Sequence, residues 1–164
     1  MATIEKSIEV NLPAQTAYNQ WTQFEDFPRF MEGVESVQQL DDRRLHWRAN
    51  VGGNVEEWDA EITEQIPDKR IAWQSTSGAR NAGVVTFHRI AEDRSKVMLQ
   101  LDYEPETWTE SLGDLLGFVT RRVSGDLERF KEFVESRRYP TGAWRGSIDS
   151  PDDRTSGQAS TRKH

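Results

Sequence analysis

Residues 3–12 alternate between two faces, with Ile4, Ile8, Val10 and Leu12 on one side and Thr3, Glu5, Ser7, Glu9 and Asn11 on the other. A period of two predicts a half-buried strand, broken only at Lys6. Pro13 ends it and suits the start of a helix, after which Ala17, Tyr18, Trp21 and Phe24 recur at three- and four-residue spacing. A second short helical piece covers Phe24 to Met31 and is ended or kinked by Pro28. Its Phe24, Phe27, Phe30 and Met31 either pack on an open sheet edge or form a lid over a cavity mouth.

From Val34 the period returns to two, punctuated by Asp41-Asp42, Gly52-Gly53, Pro67-Asp68, Gly78 and Glu92-Asp93 as turns. This predicts an antiparallel meander. One face is apolar: Leu45, Trp47, Ala49, Val51, Trp58, Ala60, Ile62, Ile71, Trp73, Val85, Phe87, Val97, Leu99, Leu101 and Tyr103. The other carries Arg44, His46, Arg48, Glu57, Asp59, Glu61, Arg70, Gln74, Gln100 and Asp102. A sheet with one dry face needs a cover.

That cover follows Pro105. Thr107 with Glu110 matches a capping box, and Trp108, Leu112, Leu115, Leu116, Val119, Val123, Leu127, Phe130 and Phe133 or Val134 recur at helical spacing. The opposite face, with Asp114, Arg121, Arg122, Asp126, Arg129 and Lys131, is expected to meet water. Gly113, Gly117 and Gly125 each cost this helix about 1 kcal/mol relative to alanine. Close helix-to-sheet packing, or room left for a ligand, would offset that cost. After Tyr139 the chain becomes rich in Pro, Gly, Ser and charge, so residues 1–139 read as one domain and 140–164 as a disordered polar tail.

Composition narrows the function. With 164 residues there is room for one core, and at 35% hydrophobic content the apolar positions must be used efficiently. A net charge of −7 makes nucleic acid an unfavourable partner. The absence of cysteine removes disulfides, thiolate metal sites and cysteine nucleophiles. His46, His88 and His164 lie apart from one another and from paired carboxylates, so neither metal nor cofactor is expected. The start of the chain lacks a signal-peptide pattern and no transmembrane run follows, which makes the cytoplasm the expected location. No oligomeric state follows from the pattern.

The order of elements, together with Trp21-Thr22-Gln23-Phe24-Glu25-Asp26-Phe27-Pro28-Arg29-Phe30-Met31, resembles the START-like or Bet v 1-like (SRPBCC) superfamily. Trp58 to Gln65 running through Pro67-Asp68 to Trp73, Asn81-Ala82-Gly83, and Arg121 to Lys131 narrow the resemblance to the bacterial polyketide cyclase/dehydrase family, related to coenzyme Q-binding proteins. The resemblance implies an α+β helix-grip fold. In it a seven-stranded curved antiparallel sheet, with two short helices after strand 1, holds a long C-terminal helix over an apolar cavity. Aromatase and cyclase members are thought to fold a polyketide chain by pocket shape, aided by a cavity arginine and hydroxyl groups.

Strand parity sends His46, Arg48, Asp59, Glu61, His88 and Arg89 outward. Ser75, Ser77, Tyr103, Tyr18 and Glu64 remain as inward polar groups, without a hydroxyl, imidazole and carboxylate set. Tyr103, Ser75 and Tyr18 are therefore the candidates for catalysis, and Arg80 is the one strand arginine with a possible inward position. Trp47, Trp58, Ala60, Trp73, Val85, Phe87, Leu101 and Tyr103 from the sheet, with Leu115, Phe118 and Val119 from the helix, are the expected ligand contacts. The indoles fit either ordinary core packing or the flat walls of a ring-binding chamber. The leading expectation is binding or transport of a hydrophobic or aromatic small molecule: a lipid, a quinone or a polyketide-like compound. An aromatase-type polyketide cyclase/dehydrase is the alternative. A protein-interaction module in a stress or ribosome-associated complex is a third.

Overall fold

The computed structural model describes residues 2–104 and 112–149, with residues 2, 112, 113 and 115 described by backbone alone. Strand β1 (Ala2–Val10) leads into helix α1 (Ala14–Trp21) and a 3-10 helix (Phe24–Arg29) that contains Pro28. Five hairpin-connected turns then link β2 (Val34–Gln39), β3 (Arg44–Val51), β4 (Asn54–Ile66), β5 (Arg70–Gly78), β6 (Arg80–Ala91) and β7 (Arg94–Glu104). The long helix α2 (Leu112–Arg137) follows. The sheet is antiparallel throughout, ordered β1-β7-β6-β5-β4-β3-β2, so the first strand closes against the last.

Local chemistry accounts for the turns. The two-residue link between β3 and β4 needs left-handed backbone at both positions, and Gly52 and Gly53 supply it with φ of 62° and 89°. The alternation keeps its parity across most of the sheet, broken by an extra residue at Thr76 of β5, opposite Asp59 and Ala60, and another at Thr63 of β4, between Ile62 and Glu64. Trp47 and Trp58 are direct cross-strand partners, as are Asn81 and Tyr103.

The dry face is covered by α2, whose Val119, Val123, Leu127, Phe130 and Val134 are buried. Phe24, Phe27, Phe30 and Met31 are buried too, and Phe27 lies 5.6 Å from Trp47 and 5.6 Å from Phe30. The segment therefore both packs on the sheet and bounds the space beneath the helix. The missing side chains of Gly117 and Gly125 do not serve close packing on the sheet. An added Cβ would meet the guanidinium ends of Arg121 and Arg129 respectively, at 3.4 Å and 3.0 Å. The Thr107–Glu110 capping box and Trp108 lie outside the described residues.

Two expectations need correction. The polar tail expected from residue 140 does not start there, because residues 140–149 pack along α1 and the β4–β5 turn. Gln20 and Gln65 are almost wholly buried and need partners. Thr141 N–H donates to Gln20 Oε1 at 2.9 Å, and Gln65 exchanges backbone bonds with Ile148 at 2.8 and 2.9 Å. Arg145 holds both Asp68 oxygens, and Ile148 is 3% exposed. Isolated apolar residues in a polar stretch carry no period, which hid this strap. The second correction concerns α2: Arg122 and Asp126 were expected in water but turn toward the interior, as described next.

Candidate functional site

Between the sheet and the first half of α2 lies a cavity of about 170 Å³. Trp47, Leu45 and Ala49 of β3, Trp58 of β4, Trp73 of β5, Asn81 of β6 and Leu99, Leu101 and Tyr103 of β7 form its floor. Phe118, Val119, Arg122, Val123, Asp126 and Leu127 of α2 form its roof, and Trp21, Phe27, Met31, Gly33 and Val34 close one side.

The indoles shape the floor. Trp47 and Trp58 stack with ring planes 9° apart and centroids 5.7 Å apart. Both indole N–H groups are buried without an acceptor among the described residues. Trp73 lies across Gly83, where an added Cβ would come within 2.4 Å of the ring. Glycine there is the condition for the indole to lie flat against the sheet.

Polar groups in the lining are few. Tyr103 donates a short hydrogen bond to Glu56 Oε2. Burial, followed by this carboxylate, pushes the Tyr103 hydroxyl well above the usual phenol range. Asn81 is 7% exposed, and its Nδ2 donates to Ala79 O at 3.2 Å. At the rim, Asp126 accepts the Glu32 N–H at 3.1 Å and a bond from Arg129, while Arg129 Nε donates to Phe30 O at 3.0 Å. Burial raises the Asp126 carboxyl above its ordinary value, against the lowering influence of Arg129 and that N–H. These bonds tie the segment after the 3-10 helix to α2. Arg122 rests on Gly33, with its guanidinium carbon 4.9 Å above the Phe118 ring.

Of the expected ligand contacts, Trp47, Trp58, Trp73, Leu101, Tyr103, Phe118 and Val119 border the cavity. Ala60, Val85 and Phe87 are buried in solid core instead, Phe87 with its ring 5.4 Å from Tyr18. The Leu115 side chain lies outside the described residues. Among the catalytic candidates, Tyr103 alone lines the cavity. Ser75 Oγ accepts the Asn81 N–H at 3.0 Å, and Tyr18 is fully buried, accepting from Gln65 Nε2 at 3.0 Å. Ser77 turns outward to bond Asp59, and Glu64 pairs with Arg70 at 2.9 Å. Arg80 stays exposed near Glu104.

The parity argument overlooked Glu56, Asn81, Arg122 and Asp126. Glu56 shares the face of Trp58 two residues on, and Asn81 that of Val85, so period two would have found both. Arg122 and Asp126 flank Val123 and Leu127 on the helix. An apolar stripe about 100° wide has flanks that face whichever groove lies beside it, and sequence does not show that groove.

Residues 10–132 match the family described as polyketide cyclase/dehydrase and lipid transport. An uncharacterized 17.2 kDa protein of Streptomyces lincolnensis is 58% identical over 90% of this chain and 99% of its own length. A crystal structure of a Deinococcus radiodurans protein superposes with a TM-score of 0.67 at 27% identity, covering 84% of this chain and 99% of that one. The aromatase/cyclase ZhuI of a Streptomyces species shares the fold, with a TM-score of 0.72 at 14% identity over 87% of this chain and 99% of its own. A START superfamily protein of Mycobacterium smegmatis does so at 0.65 and 15%, over 82% and 95%. No helix among the described residues is long and apolar enough to cross a membrane. The helix-grip sheet, the hollow beneath α2 and the match over residues 10–132 together place this chain in the polyketide cyclase/dehydrase and lipid transport family.

Proposed function

We propose that the protein binds a flat apolar or aromatic small molecule in the chamber between the sheet and α2. The observation that carries this reading is a hollow walled by Trp47, Trp58 and Trp73, where the aromatics would otherwise have been expected to close the core. A void of about 170 Å³ is smaller than the roughly 300 Å³ at which drug-sized pockets begin. One or two fused rings therefore suit it better than a long lipid chain. The two orphaned indole N–H groups favour a ligand with oxygen acceptors, quinone-like or polyketide-like, since a buried donor without a partner costs about 1–3 kcal/mol.

Native mass spectrometry of the purified protein with a library of ring compounds tests this directly. One-to-one adducts are expected for bicyclic carbonyl compounds and should disappear in Val119→Phe, which fills the roof. A protein that retains none of them would remove the reading.

A cyclase or dehydrase role is the second reading, favoured by one observation: Arg122 gives the chamber the arginine that the strands lack, in a lining that also holds Tyr103, the hydrogen-bond partner of Glu56. In that role the Glu56 carboxylate would take a proton through the Tyr103 hydroxyl from an activated carbon of the chain. Turnover of a poly-β-ketone model compound should then fall in both Tyr103→Phe and Glu56→Gln. Unchanged rates in the two variants would discard the assignment.

A further inference from the structure

Arg122 is a cation on the wall of an apolar chamber, and it feels the Asp126 carboxylate only through space, with no ion pair between them. Among the described residues its half-buried guanidinium has neither a hydrogen bond nor an ion pair, only the face of Phe118 at 4.9 Å. The nearby carboxylate is engaged elsewhere, since Asp126 accepts from Arg129 and from the Glu32 N–H. The guanidinium lies over Gly33: an added Cβ there would come 1.8 Å from Arg122 Nη1 and 2.9 Å from the backbone Asn50 O, so a side chain would displace the guanidinium from this place at the rim. Arginine presents a planar fork of donors that matches a carboxylate, and a partly desolvated guanidinium gains most from an anion that reaches it.

Resting on the binding reading above, we propose that the chamber takes an aromatic acid. Its flat body lies along the Trp47 and Trp58 floor and its carboxylate meets Arg122 at the rim. The rest of the lining is almost wholly apolar, which places the charge at one end of the ligand and excludes it from the middle. The net charge of −7 repels anions at a distance, so recognition of this head group has to be local.

Isothermal titration with two probes of the same ring system, 2-naphthoate and 2-naphthamide, isolates the charge. The natural protein is expected to bind the naphthoate at least about tenfold more tightly, the worth of one charge-assisted contact. In Arg122→Gln the two affinities should converge to within about threefold, and in Arg122→Lys part of the preference should survive. Equal affinities in the natural protein, or an undiminished preference in a folded Arg122→Gln, would overturn the proposal while leaving the binding reading in place. Failure of both probes to bind the natural protein would overturn the two together. The natural protein's preference is decisive even if Arg122→Gln does not fold, and Arg122→Lys then supplies the variant comparison.

Discussion

The two halves of α2 cover interiors of opposite character. Under its C-terminal half the aromatic rings interlock. Phe130 meets Trp21 and Phe30 at 5.0 and 5.2 Å, both edge-on, and Phe87 meets Tyr18 in the same way. Under its N-terminal half Trp47, Trp58 and Trp73 border a void, the first two stacked flat on each other. Both regions are rich in aromatics, so composition does not separate them. Geometry does: edge-to-face contacts fill space in three directions, whereas parallel indoles leave a slot. One half holds the fold together and the other is held open by it.

The contrast is broken most directly by truncation. Phe130→Ala removes a fully buried ring and is expected to cost about 3–5 kcal/mol, measured by urea denaturation. Leu101→Ala, at the edge of the void, should cost about 2 kcal/mol or less, because its neighbours already lack contacts on one side. Equal losses would mean that the void is not a feature of the folded protein in solution.

Additions sharpen the same point. Ala17 is buried in the solid half and Ala49 borders the cavity. Ala17→Leu should destabilise by about 1–3 kcal/mol, whereas Ala49→Leu should cost less than about 1 kcal/mol and weaken binding of ring compounds. A large destabilisation by Ala49→Leu would show the floor to be tightly packed.

Tyr103→Phe comes next, with an expected loss of about 1–2 kcal/mol for the bond to Glu56, again by denaturation. No loss would indicate that the pair is open to water and is not part of an enclosed wall.

The smallest effect is on the outer face. His46 bonds Asp59 at 2.7 Å and Glu57 at 3.0 Å, and these hydrogen bonds, Asp59 first, raise its imidazole above the ordinary value. A base whose folded value is raised contributes its full stabilisation below the unfolded value and loses it as pH rises through the folded value. Stability should therefore decline slightly from pH 6 to 8, and His46→Gln should flatten that slope. The side chain is 37% exposed on the outer face of the sheet, so screening limits the change to about 0.5 kcal/mol or less. Asp59 is lowered by the same bond and so loses its share only in acid.

Most of the scaffold was legible in the order of residues. Period-two segments from Val34 to Tyr103, the turns at Gly52-Gly53 and Gly78, and the stripe from Val119 to Val134 specify strands, hairpins and a covering helix, because each depends on neighbours close in the chain. Alternation also told which strand residues face inward, Glu56 and Asn81 included once the face is followed to its end, but it failed across the two bulges, beyond which Ser77 and Glu64 turn outward. What it could not tell is which inward residues border empty space. Trp73 and Phe87 share a face of the sheet, yet Trp73 is half-buried and lines the cavity while Phe87 is buried in the core, a difference set by what α2 and the 3-10 helix place opposite them. The same holds for Arg122, whose seat depends on Gly33, and for residues 140–149, whose partners Gln20, Asp68 and Gln65 are remote in sequence. Local periodicity determined the sheet, the helix and the dry face between them. Only the tertiary structure decided where that face closes and where it stays hollow, because a void is a relation among segments far apart in the chain.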